Sequence, residues 1–497
     1  MSGISGRVRP LCGALAAVAG AYALSGCYIL RSSDGGGQID RPEDPRVRVV
    51  RAEDVALPPG YRIEPVAVGL NMPTAVTFDD AGRIYVVEAG YSYGEVFDTP
   101  RLVEIVDARR RRVVATGDSP PWTGAVFHDG AFYLAEGGVT KGGRILKITP
   151  EGQVTALVEG LPSFGDHHTN GPVVGPDGKV YFGQGVYTNS GVVGPDNYGF
   201  GWLARHPTLH DIPCRDIKLA GNNFESDNPL TPDEDDKVVT GAYVPFGTPT
   251  SPGQVIPGRL PCNGAVMRVP TTGGPLELVA WGFRNPYGLA FAPDGRLLVS
   301  DNQFDERGSR PVFGVGDFLW AVTPGAPGTW HGWPDYAGGR PVSDDRFTPP
   351  SGDDNSPLLA ELPNAPPRPI AVFGVHSSSN GLDVSRSVNF GHVGQAFVAQ
   401  FGDMAPKVGK VLDPVGFKVI RVDLATGVEV DFATNRKDAG PASYQDGGGL
   451  ERPLMARFDP LGDALYIVDF GILAMDSEKE YPKRHTGVLW RVTRVRQ

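Results

Sequence analysis

Short apolar runs recur in pairs along the chain, each pair joined by an Asp/Gly-rich turn, with the second run ending in Asp, Glu or Gly. The pattern is that of β-hairpins, because Pro-Asp-Gly and Asp-Gly supply the backbone that tight turns require. The first copy runs from Ala75 to Glu88 and the second from Gly124 to Glu136. The third runs from Pro172 to Gln184 around Gly175-Pro176-Asp177-Gly178, and the clearest, the fourth, from Gly288 to Asp301. A degenerate fifth copy lies between Gly381 and Gly402, and the sixth runs from Leu454 to Asp469. Further apolar strands close most copies, as at 144–148, 265–269, 418–422 and 488–492. Two hairpins per repeat make a four-stranded sheet, and six such sheets around an axis predict an all-β, six-bladed β-propeller. A β-sandwich would not call for the same turn signature six times. The interval between the third and fourth copies is far longer than the others. Its excess, about 187–261, predicts a long loop insertion after the third blade's first hairpin, of the kind that builds or covers a site.

The N-terminus follows a different rule. Arg7 and Arg9 precede a small-residue apolar run from Leu11 to Ala23, too short to span a bilayer. The run ends in Leu24-Ser25-Gly26-Cys27, which resembles a bacterial lipobox. Residues 1–26 are therefore expected to be a lipoprotein signal peptide and Cys27 the lipidated first residue. Residues 27–58 are read as a flexible tether, and 59–497 as the propeller. Tyr28, standing where Asp would oppose sorting, favours the outer membrane, facing the periplasm, as the destination. Export leaves Cys214 and Cys262, which in an oxidising compartment are expected to form a disulfide. No Cys-x-x-Cys-His occurs, which excludes covalent c-type haem.

Composition narrows the class. The 497 residues include 67 glycines and 46 prolines, too many for a helical bundle. Hydrophobic residues at 40% and spread along the chain oppose disorder. A net charge of −11 without a long basic run makes nucleic acid an unsuitable partner.

In a propeller, loops from different blades converge at the axis, so polar residues just before each inner strand share a cavity. The third copy is preceded by Asp166-His167-His168-Thr169-Asn170, and the fourth by Arg284-Asn285-Pro286 with Asp301-Asn302-Gln303-Phe304-Asp305-Glu306 after its hairpin. The fifth is preceded by His376-Ser-Ser-Ser-Asn380, and the sixth by Glu451-Arg452-Pro453. The Asp166-His167 pair ahead of Gly175-Pro176-Asp177-Gly178, and Gly282-Phe-Arg-Asn-Pro-Tyr-Gly-Leu-Ala-Phe-Ala-Pro-Asp-Gly295, resemble the soluble pyrroloquinoline quinone (PQQ)-dependent glucose/sorbosone dehydrogenase family. Trp330-His-Gly-Trp-Pro334 and the sixth copy extend the resemblance over roughly residues 59–497, with 187–261 as an addition.

The resemblance implies oxidation of an aldose at C1, with His167 taking the hydroxyl proton, Asp166 holding the imidazole, and Arg284 stabilising negative charge. It implies a PQQ site at Arg284, Asn285, Arg452 and His376, a Ca²⁺ near Asn302, Gln303 and Phe304, and an external electron acceptor. A neutral imidazole suits proton abstraction, guanidinium groups suit the quinone's three carboxylates, and oxygen donors suit Ca²⁺. Three segments depart from the family: Ser119-Pro-Pro-Trp122 replaces a glutamine-containing one, Gly402 or Asp403 stands for a lysine, and Leu454 for an arginine. Two other readings compete. One is a Ca²⁺-dependent lactonase built on Asp301, Asn302, Asn170 and Glu88. The other is a non-catalytic carbohydrate- or partner-binding propeller. The run Asp301 to Glu306 also admits a bland reading as a solvated loop, and Arg284 one as a hub tying blades together.

Overall fold

A computed structural model describes residues 46–92, 95–96, 98–138, 141–199, 201–325, 328–405, 413–475 and 480–495. The expected signal peptide, the lipidation site Cys27 and the first part of the tether lie outside the described residues.

The structure is all-β and propeller-like. The first four-stranded sheet orders Pro73–Phe78, Ile84–Glu88, Arg101–Ile105 and Arg111–Thr116, each strand hydrogen-bonded to the next. The second orders Trp122–His128, Ala131–Glu136, Gly143–Ile148 and Val154–Leu161. The third begins with Thr169–Val174 and Lys179–Gln184, continues through Ala265–Pro270 and Glu277–Trp281, and gains a short fifth strand, Thr329–Trp330. The fourth orders Asn285–Phe291, Leu297–Asn302, Gly316–Val322 and Ala371–Val375. The fifth and sixth hairpins, Ser379–Val384 with Ala396–Gln400 and Pro453–Phe458 with Ala464–Asp469, fall in one nine-stranded sheet. Its two halves meet through a parallel bridge, Gly381 to Met455.

That sheet also ties the beginning of the fold to its end. Tyr61–Leu70 pairs antiparallel with Gly487–Arg494, from Tyr61 opposite Arg494 to Leu70 opposite Gly487. The described part of the expected tether is docked. Val55 and Ala56 pair with Asn435 and Thr434, and the nearly buried Arg48 lies 2.9 Å from Glu451 and 2.6 Å from Asp469. Arg48, Val55 and Ala56 are therefore not part of a free tether, because they find backbone and charge partners on the sheet.

The acid that ends the repeat's second strand has a structural reason. Asp301 Oδ1 accepts the backbone N–H groups of Arg284 (3.1 Å) and Asn285 (2.8 Å), and Oδ2 accepts Trp320 Nε1–H (3.1 Å). Asp469 does the same with Glu451 (3.0 Å), Arg452 (2.9 Å) and Trp490 Nε1 (3.3 Å). In the first sheet Glu88 accepts from Asn71 N–H, and in the second Glu136 accepts from Trp122 Nε1. Each acid satisfies donors that the start of its sheet would otherwise bury unpaired. Inner strands also approach closely: a Cβ on Gly288 would lie 2.3 Å from the Asn380 carbonyl oxygen, so only glycine allows that contact.

Residues 185–264 join the second and third strands of the third sheet. They are more than a loop. They contain helices Pro195–Gly199 and Trp202–Arg205 and two two-stranded ribbons. Trp202, Leu203 and Phe224 are buried in it. Cys214 and Cys262 form a disulfide closing 48 residues. On the chain-entropy account such a bridge contributes about 4 kcal/mol. Replacing both cysteines by serine is expected to lower the thermal midpoint in non-reducing buffer, and added reductant should then have no further effect.

Candidate active site

A cavity of about 200 Å³ is lined by residues from several sheets, among them Asp166, His167, Arg284, Asn285, Asn302, Gln303, Phe304 and His376. These positions, scattered over more than two hundred residues of sequence, are thus brought together. His168 and Asn170 line it too.

His167 is held from both sides. Its backbone N–H donates to the Val186 carbonyl at 3.1 Å, and its ring Nδ1 to the same oxygen at 3.3 Å. A carbonyl only accepts, so Nδ1 carries the proton and Nε2 keeps its lone pair. Nε2 has no hydrogen-bond partner among the described residues. A Cβ on Gly185 would lie 2.2 Å from that of His167, so the strand end must be bare for the ring to sit there. Burial first, then Arg284 and Arg307, holds His167 well below its ordinary value. The imidazole is neutral at physiological pH.

Asp166 does not hold the His167 ring, contrary to expectation. It pairs instead with Arg307 at 2.7 Å and accepts from Asn197 Nδ2 at 3.3 Å. Burial raises its carboxyl to about 6 even against Arg307, with Asp196 adding to the rise.

Arg284 is both a tie and a candidate ligand. Nε and Nη2 donate to the backbone and side-chain oxygens of Asn189 (3.2 and 3.1 Å), and Nη2 lies 2.5 Å from Asp305 Oδ2. Nη1 has no hydrogen-bond partner among the described residues. Asp305 is the centre of a buried charge cluster that the sequence reading left as a possible solvated loop. It takes Arg284 and Arg307 together, and Arg307 also reaches Asp196 at 2.6 Å. His376 Nδ1 stands 3.6 Å from Asp305 Oδ1. Burial opposes a proton on His376, but Asp305, Asp317 and Glu306 outweigh it and raise the imidazole above its ordinary value. Asp305 is itself held far below the carboxylate range, because Arg284, Arg307 and His376 outweigh its burial. His376 and Ser378 adopt left-handed backbone (φ 61° and 50°), and Asp317 accepts from Ser377 Oγ and Ser379 N–H beside them.

Side-chain amides cross the polar side in series. Asn170 Nδ2 donates to Asn285 Oδ1, Asn285 Nδ2 to Asn302 Oδ1, and Asn302 Nδ2 to the Ser379 carbonyl, all at 2.9 Å. Gln303 Nε2 donates to Asp301 Oδ2, which leaves Gln303 Oε1 without a partner among the described residues. Among those residues no three His, Cys, Asp or Glu side chains form a metal cluster, so a Ca²⁺ here would depend on amide and carbonyl oxygens.

Two further expectations are corrected. Arg452 does not line the cavity. Its Nη1 donates to the carbonyls of Phe401, Gly402 and Asp403 (3.1–3.4 Å) because that loop turns its oxygens toward the buried guanidinium. The acids Glu88 and Asp301 lie off the lining as well, both occupied by the sheet ties described above and Glu88 also by Arg101 at 2.7 Å. The sequence reading missed Asn189, Asp305 and Arg307 as site-builders. It also missed an apolar side of the cavity formed by Tyr287, Phe401, Met404, Leu454, Phe470 and Leu473.

No protein-family model matches the chain, and neither does any curated protein. Solved structures share the fold. The holo form of the pyranose dehydrogenase PQQ domain from Coprinopsis cinerea aligns with 93% of this chain and 100% of its own, at 15% identity and a TM-score of 0.53. A carbohydrate-active enzyme of family AA12 from Trichoderma reesei aligns with 90% of this chain and 98% of its own, at 13% identity and a TM-score of 0.53. The PQQ-bound aldose sugar dehydrogenase from Streptomyces coelicolor aligns with 88% of this chain and 100% of its own, at 16% identity and a TM-score of 0.48. The PQQ domain of a pyranose dehydrogenase is therefore among the structures that share this chain's fold, and at 15% identity the likeness is one of fold.

Proposed function

We propose that this cavity is the active site of a sugar-oxidising enzyme acting on the C1 hydroxyl of an aldose, with PQQ as cofactor and Ca²⁺ beside it. The observation that carries the reading is His167: a neutral imidazole with its proton fixed on Nδ1, and with Nε2 in a cavity shared with Arg284. Nε2 takes the hydroxyl proton, and the imidazolium is transient because the same surroundings that lower its pKa return the proton readily. Arg284, through Nη1, and the amide of Asn285 bind and orient the electron-accepting group and stabilise negative charge on it. When bound, the quinone supplies the hydride-accepting carbonyl. These donors suit one anionic edge of the cofactor. His376, charged beside Asp305, adds a second cation nearby, and Gln303 Oε1 offers Ca²⁺ an oxygen.

The reading takes the nine-stranded sheet as two blades and so counts six. It includes export, a lipid anchor on Cys27 at the outer membrane facing the periplasm, and electron transfer to an external acceptor. A lactonase centred on Asp301 and Glu88 has less support, since both acids are committed to sheet ties away from the cavity. Reconstitution of the purified chain with PQQ and Ca²⁺, followed by dye reduction over a panel of aldoses, tests the proposal. Sugar-dependent dye reduction is expected, and no bound quinone with no turnover would overturn it.

A pH dependence follows from His167. Its pKa is depressed, so it stays unprotonated as the pH falls through 6.5 and gains a proton only well below that. The acid limb of kcat/KM is therefore expected well below 6.5, while loss of the His376 proton belongs to the alkaline side, because that imidazole is raised above its ordinary value. An acid limb at or above 6.5 would exclude His167 as the base.

A further inference from the structure

The cavity has two unlike sides. The polar side carries the amides of Asn170, Asn285, Asn302 and Asn380 together with His167 and Arg284. The other is hydrocarbon, and it belongs to one packed cluster. Phe401, Leu454, Phe470 and Leu473 pack together with Tyr287 and Met404 against them. The rings of Phe401 and Phe470 meet edge to face with centroids 5.5 Å apart. Arg452 packs against this cluster without lining the cavity. Its guanidinium lies 4.9 Å from the ring centroids of both Phe401 and Phe417 while its Nη1 binds the loop carbonyls. The Arg452 guanidinium is thus held by the scaffold and is not part of the lining.

We propose that this wall is an apolar subsite, and that the molecule the cavity takes is a sugar bearing an uncharged acyl or aryl substituent away from its reacting carbon. The inference rests on the reading of the cavity as a sugar site. Carboxylates placed against the wall would lose water without gaining a cation, and bare sugar hydroxyls would lose hydrogen bonds there. Hydrocarbon gains on both counts, because Tyr287, Phe401, Met404, Leu454, Phe470 and Leu473 offer ring faces and methyl groups preassembled in one cluster. The amides on the polar side remain for the sugar's hydroxyls. Specificity of this kind grows with chain length, by roughly fourfold in affinity per buried methylene.

The test is calorimetric titration of the full mature chain, without added cofactor, with glucose and its 6-O-acetyl, 6-O-butanoyl and 6-O-hexanoyl esters. Affinity is expected to rise along the ester series by up to about 250-fold from acetyl to hexanoyl where all four added methylenes are buried, and by at least about tenfold where two are. Leu454→Arg places a charge in the wall and is expected to flatten the series. Leu454→Gln, polar and uncharged, should do so partly and serves if the arginine variant does not fold. A flat series in the unmodified chain, no binding of the hexanoyl ester, or an unchanged slope in both variants would overturn the subsite. Failure of the dehydrogenase reading is distinct: it would show as no PQQ-dependent dye reduction with the binding slope intact.

Discussion

Replacing His167 by alanine is expected to lower sugar-dependent dye reduction by about 10²- to 10⁴-fold at pH 7, the range that removal of a general base produces. The reason is local. Among the cavity-lining groups, His167 combines a depressed pKa with an Nε2 lone pair that no described residue occupies. Asp166 cannot take over, because it is engaged by Arg307 and Asn197. Measurement of kcat and KM on quinone-loaded protein, with quinone absorbance recorded for both forms, separates lost chemistry from lost cofactor. Equal loading with a fall in kcat is the expected result. Undiminished turnover would remove the histidine from the mechanism, and unchanged ligand binding by a chain that never turns over would favour a non-catalytic binding propeller.

Replacing Asp305 by alanine is expected to cost about 3–5 kcal/mol of stability, the usual consequence of deleting one partner of a buried ion pair. Asp305 is 6% exposed and compensates Arg284 and Arg307 at once, both of them buried. Its loss would leave two guanidinium groups in low dielectric with only Asp166 and Asp196 against them, on Arg307. Asp305→Asn keeps the shape and removes the charge, so it should recover part of the loss. Urea denaturation midpoints measure both, with Lys237→Ala as reference: its ion pair with Asp227 is exposed, and pairs of that kind contribute about 1 kcal/mol or less. An Asp305→Ala variant as stable as that reference would show that the cluster does not hold the site together. The same substitution should lower the pKa of His376, since Asp305 is the chief group raising it.

Much of the fold was legible because hairpins are local. Turn residues and strand-terminal acids are adjacent in sequence to the strands they serve, so all six expected hairpins lie where the repeat put them. The last residue of the second strand was legible as a pattern but not as a purpose. Only the coordinates show Asp301 and Asp469 binding backbone N–H groups sixteen to eighteen residues upstream and a tryptophan on the next strand. The same fact takes Asp301 out of the lactonase set. The disulfide expected between Cys214 and Cys262 is present, whereas the segment around it is more ordered than its Pro, Gly, Asn and Asp content suggested.

The candidate site divides in the same way. Asp166, His167, Arg284, Asn285, Asn302, Gln303, Phe304 and His376 were chosen by position relative to the repeat and by family resemblance, and closure of the sheets around a common centre carries them to one cavity. What each side chain does there depended on partners distant in sequence. Asn189, from the segment between strands of another sheet, turns Arg284 and frees one of its nitrogens. Asp305 became a charge hub because Arg284, Arg307 and His376 surround it. Arg452, in a sequence position equivalent to that of Arg284, met three carbonyls and two aromatic rings instead of a cavity. The sequence by itself determined the strands, their turns and which residues stand at the mouth of each sheet, since those depend on neighbours along the chain. The tertiary structure alone decided which of those residues face open space, which neutralise one another, and that hydrocarbon lines one side, because burial and charge pairing are set by contacts between segments that the chain brings together only when it folds.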